Sequence, residues 1–164
     1  MRSGRVLVFC TVLAVCVGCD HTVKRIAESA LAGAPGISLA ADLVRLELSS
    51  NPGAFLSLGA DLPEALRLGI FLVGVPILLA LVCVQLLRAG RTSRRQLVGV
   101  ALLAGGGLGN WLDRLLNQGE VTDFISIGLG SLRTGVFNVA DVAVILGIAL
   151  VLLARPDPPA SAAA

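Results

Sequence analysis

The sequence predicts an all-α membrane protein with four transmembrane helices, a small β-structured outer loop and a short outer helix or loop before the last span. Of the 164 residues, 55% are hydrophobic and only 15% are charged. The apolar residues also form long blocks rather than an amphipathic pattern, and lipid is the solvent that such blocks favour. We expect one membrane domain over residues 1–155 and a disordered cytoplasmic tail over 156–164.

Composition also narrows the classes of function. The formal charge is +2, and no basic stripe is interleaved with aromatic residues, so we expect no nucleic-acid partner. His21 is the only histidine and no HExxH pattern occurs, which argues against a zinc hydrolase. We expect neither a metal nor a cofactor. The four cysteines lie in or beside apolar runs, where they are expected to pack between helices rather than form disulfides: Cys10, Cys16, Cys19 and Cys83.

The first predicted span runs from Arg5 to Ile26. Basic residues precede an apolar stretch that ends at Cys19, so this segment could also be interpreted as a lipoprotein signal peptide. Three further hydrophobic spans follow, which a secreted lipoprotein would not need. The polar loop after this span, residues 31–63, contains an alternation of apolar and charged residues from Leu43 to Leu48 that predicts a short, half-exposed strand.

The second span is predicted from Leu66 to Leu87, with a kink at Pro76. A glycine-rich third span runs from Gln96 to about Leu112. A second polar loop, residues 113–135, then leads to the fourth span, Val136 to Ala154.

Basic residues predict the orientation of these spans. One side of the membrane would hold seven basic residues and the single acid Asp157, and the other side six basic and ten acidic residues. By the positive-inside rule, both termini and the connector between the second and third spans are cytoplasmic, and the two polar loops face outward. The seven basic residues are Arg2, Arg5, Arg88, Arg91, Arg94, Arg95 and Arg155.

Two acidic residues near the outer ends of the spans suggest chemistry, because a carboxylate beside hydrocarbon is costly. Asp141 follows Val136 by five residues, which places it roughly 7 Å into the fourth span, and Asn138 lies three positions before it. The loop that carries Asp123 must return to the start of the same span. Two close carboxylates share a proton, as an aspartyl protease requires. The alternative is that Asp123 caps a loop and Asp141 caps a helix.

Other polar residues gather at the same end of the spans. Asn110, Asp113 and Arg114 occupy positions i, i+3 and i+4, which form one face at the end of the third span. Asp20 and Lys24 are spaced i, i+4, which favours a local ion pair. We expect Asp113 to hold Arg114 in the same way.

Five short motifs together resemble the lipoprotein signal peptidase family (signal peptidase II, aspartyl peptidase family A8) in order and spacing. The likeness extends over nearly the whole chain. The motifs are Asp20-His21-Thr22-Val23-Lys24, Asn51-Pro52-Gly53-Ala54-Phe55, Gly109-Asn110-Trp111-Leu112-Asp113-Arg114, Val121-Thr122-Asp123-Phe124-Ile125 and Phe137-Asn138-Val139-Ala140-Asp141.

The resemblance implies a membrane endopeptidase of the bacterial cytoplasmic membrane with its site at the outer face. Asp123 and Asp141 would be the catalytic pair. The substrate would be a prolipoprotein that already carries diacylglyceryl on a cysteine, cut just before that cysteine, and membrane phospholipid would surround a monomer. The resemblance also implies residues that hold the substrate or the water, namely Asn51, Gly53, Asn110, Arg114 and Asn138, and residues that support the site, namely Asp20, Lys24 and Asp113.

Two other classes of protein remain as alternatives. A small transporter or channel subunit could use Asp20, Asp123 and Asp141 as an ion or proton relay, but it would need polar groups throughout the membrane depth. Apart from Gln85, near the cytoplasmic end of the second span, the polar residues here lie at the outer ends of the spans. A structural subunit would not require so many polar side chains in one place.

Overall fold

A computed structural model describes residues 3–88 and 92–154 of the chain as a mostly helical protein with a small antiparallel sheet. The predicted tail over 156–164 and the basic residues Arg2, Arg91 and Arg155 lie outside the described residues. The helices are α1 (Ser3–Leu31), α2 (Glu64–Leu68), α3 (Val75–Arg88), α4 (Arg94–Leu116) and α5 (Val139–Leu153), and the strands are β1 (Ile37–Leu39), β2 (Val44–Asn51), β3 (Val121–Leu129) and β4 (Leu132–Arg133).

The helices have different limits from the predicted spans. α1 contains 29 residues, which corresponds to about 44 Å at 1.5 Å per residue and exceeds a hydrocarbon core of about 30 Å. α4 continues to Leu116, so Asp113 and Arg114 belong to a helix and not to the predicted loop. In the described residues, two helices are long and apolar enough to cross a membrane, Ser3–Leu31 and Glu64–Leu86, and the apolar α5 is shorter. The count of four spans stays a prediction.

A π-helical turn, Gly69–Gly74, lies between α2 and α3 and ends just before Pro76, where the sequence predicts a kink. Proline has no N–H, so Pro76 cannot donate to the Leu72 carbonyl four residues before it. The indole Nε1 of Trp111 on α4 donates to that oxygen instead, at 3.0 Å. This bond satisfies a carbonyl in an apolar setting, where an unpaired one is costly, and joins the two helices.

Glycines let α4 and α5 approach closely. A Cβ atom added at Gly106 would lie 2.4 Å from the carbonyl oxygen of Ala140, and one at Gly147 would lie 2.7 Å from that of Gly99. Glycine is therefore required at these positions by the distance between the two backbones. Gly105 lets α4 approach α1 in the same way, because a Cβ there would lie 2.8 Å from the Cβ of Cys16.

The sheet has the order β1-β2-β3-β4, and every pair is antiparallel. Where the sequence predicts a short outer helix or loop before the last span, residues 117–138 contain β3, β4 and loops but no helix. The predicted strand at Leu43–Leu48 is longer and runs to Asn51.

A β-bulge changes the register between β2 and β3. Leu46 pairs with Ile125, whereas Ser49 pairs with Asp123, so β2 has one more residue than β3 between these pairs. Side chains alternate along a strand, and the extra residue turns the end of β2 over. Asn51 therefore lies on the same face of the sheet as Asp123.

Candidate active site

The ten polar and glycine residues singled out in the sequence come together where α1, α4, α5, β2 and β3 meet. Asn110 is partly buried and the other nine are buried. Direct hydrogen bonds and ion pairs join them into one network, which extends from the start of α5 to α1.

Asn138 and Asp141 form the N-terminal cap of α5. The Asp141 N–H donates to Asn138 Oδ1 at 2.9 Å, and the Asn138 N–H donates to Asp141 Oδ2 at 3.2 Å, which is a reciprocal capping box. α5 begins at Val139, so Asp141 lies in the first turn rather than about 7 Å into a span. The helix dipole stabilises the anionic form of a carboxylate placed there.

Asn110 of α4 connects this cap to the rest of the site. Its Nδ2 donates to Asp141 Oδ1 at 2.9 Å. Its Oδ1 accepts from Asn138 Nδ2 and from Lys24 Nζ, each at 3.0 Å. Both polar atoms of the amide are therefore in use, and its orientation is fixed.

Asp123 of β3 receives two amide donors. Asn138 Nδ2 donates to its Oδ1 at 2.6 Å, and Asn51 Nδ2 donates to its Oδ2 at 2.8 Å. The residue is 1% exposed, and this burial raises the pKa of Asp123 to about 6. The Asp141 carboxylate also raises that pKa, whereas the two amide donors and the Lys24 charge lower it. A carboxyl with this pKa is half protonated at about pH 6.

The loop after β2 is folded by Asn51 and Gly53. Asn51 Oδ1 accepts the Gly53 N–H at 2.9 Å, and a Cβ added at Gly53 would lie 2.6 Å from the Leu58 carbonyl oxygen, so only glycine fits. Arg114 of α4 donates to the Gly53 carbonyl and, at 3.0 Å, to the Asn110 carbonyl. Its guanidinium also lies over the Phe71 ring, 5.0 Å from the centroid.

Lys24 lies between two acids behind Asn110. Its Nζ is 2.7 Å from Asp20 Oδ2 and 2.7 Å from Asp113 Oδ2, and the side chain is 2% exposed. The expected i, i+4 pair of Asp20 and Lys24 is present. The expected pairing of Asp113 with Arg114 is wrong, because Asp113 turns toward Lys24 on the neighbouring helix. Asp20 Oδ1 also accepts the N–H of Ala140 at 2.9 Å, which ties α1 to the start of α5.

A cavity of about 190 Å³ opens beside the two carboxylates. Arg114 and Asn110 line its polar part, while the rest of the wall is mainly apolar. Phe71 belongs to this wall, although nothing in the apolar run around it distinguishes it in the sequence. The lining consists of Asn51, Ala54, Phe55, Phe71, Val75, Gly107, Asn110, Arg114, Val121, Asp123, Asp141 and Val144.

Two carboxyls that share one donor residue beside a cavity can activate water. Asn138 is bonded to both, and the low local dielectric disfavours two charges there, which favours a state with one proton on the pair. Among residues 3–88 and 92–154, no group of three or more His, Cys, Asp or Glu side chains is arranged to hold a metal ion.

Two solved structures share the fold of this chain. Two structures described as bacterial membrane enzymes superpose with TM-scores of 0.72 and 0.71, at 22% and 23% identity. Each match covers 93% of this chain, and 87% and 92% of the respective solved chains. The architecture of this chain is therefore one already seen in solved structures.

Sequence comparison identifies the family. Residues 12–155 match the family model described as signal peptidase (SPase) II. A lipoprotein signal peptidase of Sulfurihydrogenibium sp. (strain YO3AOP1) is 33% identical over 150 residues, which is 90% of each chain. Another, of Rhodococcus jostii (strain RHA1), is 33% identical over 159 residues, 93% of this chain and 73% of the relative. The chain belongs to the signal peptidase II family, as its five motifs indicated.

Proposed function

We propose that this protein removes the signal peptide from prolipoproteins, cutting the peptide bond just before a cysteine that carries diacylglyceryl. Its relatives are named lipoprotein signal peptidases, and they match nearly the whole chain. The observation that carries the chemistry is that Asn138 bonds to both buried carboxyls, Asp123 and Asp141, at the wall of one cavity.

In this proposal the two carboxyls have different tasks. Asp141, at the N-terminus of α5 and with donors from Asn110 and Asn138, is the anion that takes a proton from water. Asp123, whose pKa is raised to about 6, carries the proton and gives it to the carbonyl oxygen of the scissile bond. Water oxygen bonds to the carbonyl carbon, and a tetrahedral diol forms. When the C–N bond breaks, Asp141 passes its proton to the leaving nitrogen and Asp123 recovers its own from the diol.

The remaining site residues are assigned by their contacts. Asn51 and Asn138 hold Asp123, and Asn110 holds Asp141. Arg114 and Gly53 fix the loop over the cavity, where they meet the substrate backbone or the water. The supporting residues are Asp20, Lys24 and Asp113, which hold α1, α4 and the start of α5 together.

We place the enzyme in the bacterial cytoplasmic membrane as one domain of four spans, acting as a monomer surrounded by phospholipid. Both termini would be cytoplasmic and the carboxyl pair would lie at the outer face. The basic connector supports this orientation, and the sheet lies at the same end of the helices as the site. A lipid-bearing substrate could then approach laterally, within the bilayer.

Cleavage by the purified protein tests the proposal. In detergent, the wild type should cut a diacylglyceryl-modified prolipoprotein with or without a chelator. Asp123→Asn and Asp141→Asn should each lower kcat/KM by about 10³-fold or more, and the double variant should lose little further, because the pair acts as one unit. An Asp61→Asn variant, which alters an exposed carboxylate, is the matched control and should cut normally. Substantial turnover by Asp123→Asn or Asp141→Asn would show that these two residues are not the catalytic pair.

A reporter that is active only outside the cytoplasm tests the orientation. Fused after Ala154 it should be silent, and fused after residue 62, in the first polar loop, it should be active. The opposite pattern would place the carboxyl pair at the cytoplasmic face.

A transporter that uses the same acids would differ in where its polar residues lie. A relay needs polar groups along the whole membrane depth. Beyond Asp141, every residue of α5 from Val142 to Leu153 is apolar or glycine. The polar residues of the site gather at one end of the helices, and this favours an enzyme.

A further inference from the structure

The only lysine of the chain occupies the centre of the buried polar network, although it does not line the cavity. Lys24 Nζ is close to three oxygens, Asp20 Oδ2 and Asp113 Oδ2 at 2.7 Å and Asn110 Oδ1 at 3.0 Å. The contact with Asp20 Oδ2 is a charge contact rather than a directed hydrogen bond, whereas the one with Asn110 is a hydrogen bond. The ammonium group therefore faces Asn110 as well as its acids.

The contacts with Lys24 and with Asn138 Nδ2 together determine which way the Asn110 amide points. An ammonium group has three donors and no acceptor, so only the oxygen of the Asn110 amide can face Lys24. The amide nitrogen must then point the other way, and it donates to Asp141 Oδ1 at 2.9 Å. A cation bonded to an amide oxygen also polarises the amide, which strengthens the hydrogen bond made by its N–H.

We propose that Lys24 is a positioning residue for the carboxyl pair: through Asn110 it keeps Asp141 in the ionised form that accepts a proton from water. This inference rests on the proposed function of Asp141. It assigns to Lys24 a part in the reaction beyond holding α1 against α4.

The charged and titratable groups around this path come from all the packed elements. Asp20 and His21 are on α1, and His21 Nδ1 is 3.7 Å from Asp113 Oδ1. α4 contributes Asp113 and Arg114, α5 contributes Asp141, and β3 contributes Asp123. Lys24, Asp20 and Asp113 together carry a net charge of −1, with Arg114 not counted. Loss of Lys24 therefore makes the site more negative.

The direct test is the pH profile of cleavage by purified full-length variants. Lys24→Met removes a positive charge and the Asn110 contact, so the acid limb of the kcat/KM profile should move up by about one pH unit. Asp113→Asn removes a negative charge, and the limb should move down. Arg25→Met is the matched control, because Arg25 is the next residue on α1 and is exposed; its profile should equal that of the wild type.

A second variant keeps the net charge of the cluster unchanged and is designed to stay folded. Lys24→Met combined with Asp113→Asn leaves the cluster with the same net charge as the wild type, and the new amide at position 113 still offers an oxygen to the Thr122 N–H. An upward shift that persists in this variant is caused by the lost Asn110 contact. If the folded double variant has unmoved limbs and only a lower kcat, Lys24 is a structural residue and the inference is wrong.

A spectroscopic measurement needs no variant at Lys24. Protein labelled with 13C at lysine Cε gives one side-chain NMR signal, because the chain has a single lysine. That signal should move over the pH range of the acid limb, and the movement should vanish in Asp141→Asn. A signal that stays constant over this range in the wild type would overturn the inference. If the wild type cleaves no prolipoprotein, the proposed function fails instead, and the NMR result still shows whether Lys24 and Asp141 are coupled.

Discussion

Asn138 and Asp141 hydrogen-bond to each other in both directions across the first turn of α5, at 2.9 and 3.2 Å. The same two residues begin a helix and supply part of the candidate active site. Asn138 is 0% exposed, and its side-chain nitrogen has a further bond to Asp123 at 2.6 Å. The Asn138 side chain therefore serves both the helix cap and the carboxyl pair. Its contribution to stability and its contribution to cleavage can be separated only by replacements that keep one of these contacts and lose the other.

Substitution of Asn138 should separate stability from cleavage. Serine is also a good N-cap, so Asn138→Ser should keep most of the stability but lose the amide donor to Asp123. Asn138→Ala loses both, and we expect it to be about 1 kcal/mol less stable than the serine variant. Both should cleave at least ~100-fold more slowly. Thermal unfolding in detergent beside kcat/KM checks this, and a serine variant that cleaves at the wild-type rate would contradict it.

The pH dependence of stability should carry the signature of Asp123. The folded protein, in which its pKa is about 6, binds this proton more tightly than the unfolded chain, for which the value is 3.8. The contribution to the free energy of unfolding is thus complete below about pH 4 and is lost as the pH rises through 6. The difference amounts to about 3 kcal/mol.

Unfolding of the wild type and Asp123→Asn between pH 4 and 7 measures this contribution. The wild type should lose stability relative to the variant as the pH rises. The variant itself gives up one acceptor for the Asn51 or Asn138 amide, which lowers its stability at every pH without changing the slope. Asp61→Asn, at an exposed position, should follow the wild-type curve. Parallel curves for the wild type and Asp123→Asn would contradict the raised pKa.

Removal of one acid beside Lys24 should destabilise the fold. Asp20→Ala leaves a buried ammonium with fewer acceptors and an unbonded Ala140 N–H, and we expect a loss of about 3 kcal/mol. Asp113→Ala should act in the same direction through the same lysine. Melting temperature and folded yield in detergent check both, with Asp61→Ala as the exposed control. Wild-type melting temperatures for both variants would show that Lys24 does not depend on these acids.

Glycine at the contact of α4 and α5 should not tolerate a methyl group. A Cβ at Gly106 would meet the Ala140 carbonyl at 2.4 Å, so Gly106→Ala should cost about 1–3 kcal/mol and displace Asp141 from Asn110. A Cβ at Gly18 on α1 would have nothing within 4 Å, so Gly18→Ala should leave cleavage unchanged and should not lower stability, because alanine favours a helix interior over glycine. The same unfolding and cleavage assays compare the two. Equal behaviour of the two variants would mean that the close approach is not required.

Sequence patterns were sufficient for features that depend on composition or on local spacing. Apolar blocks located the helices, and the i, i+4 spacing located the pair of Asp20 and Lys24. The family's motifs marked the residues that meet in the site. These signals arise from residues near one another in the chain or from hydropathy, which does not depend on tertiary contacts.

Features set by contacts between distant segments were not predictable. α4 continues past Leu112 because Asp113 finds its partner in Lys24, on another helix. Lys24, together with the Thr122 N–H, makes this buried carboxylate tolerable, whereas Arg114 is the nearer candidate along the chain. The hairpin of β3 and β4 was also missed, since its pairing with β2 decides between strand and helix. Phe71 is one apolar residue among many until Arg114 is seen over its ring.

The bulge between Leu46 and Ser49 limits which changes of length this region can accept. Adding or deleting one residue in β2 before Ser49 would move each later side chain of the strand to the opposite face of the sheet. Asn51 would then point away from Asp123. A change of two residues would return Asn51 to the face that carries Asp123 and would lengthen or shorten the strand by only about 7 Å. We therefore expect this strand to accept changes of an even number of residues and not changes of an odd number. The extra residue of the bulge keeps the Asn51 amide on the face of the sheet that carries Asp123.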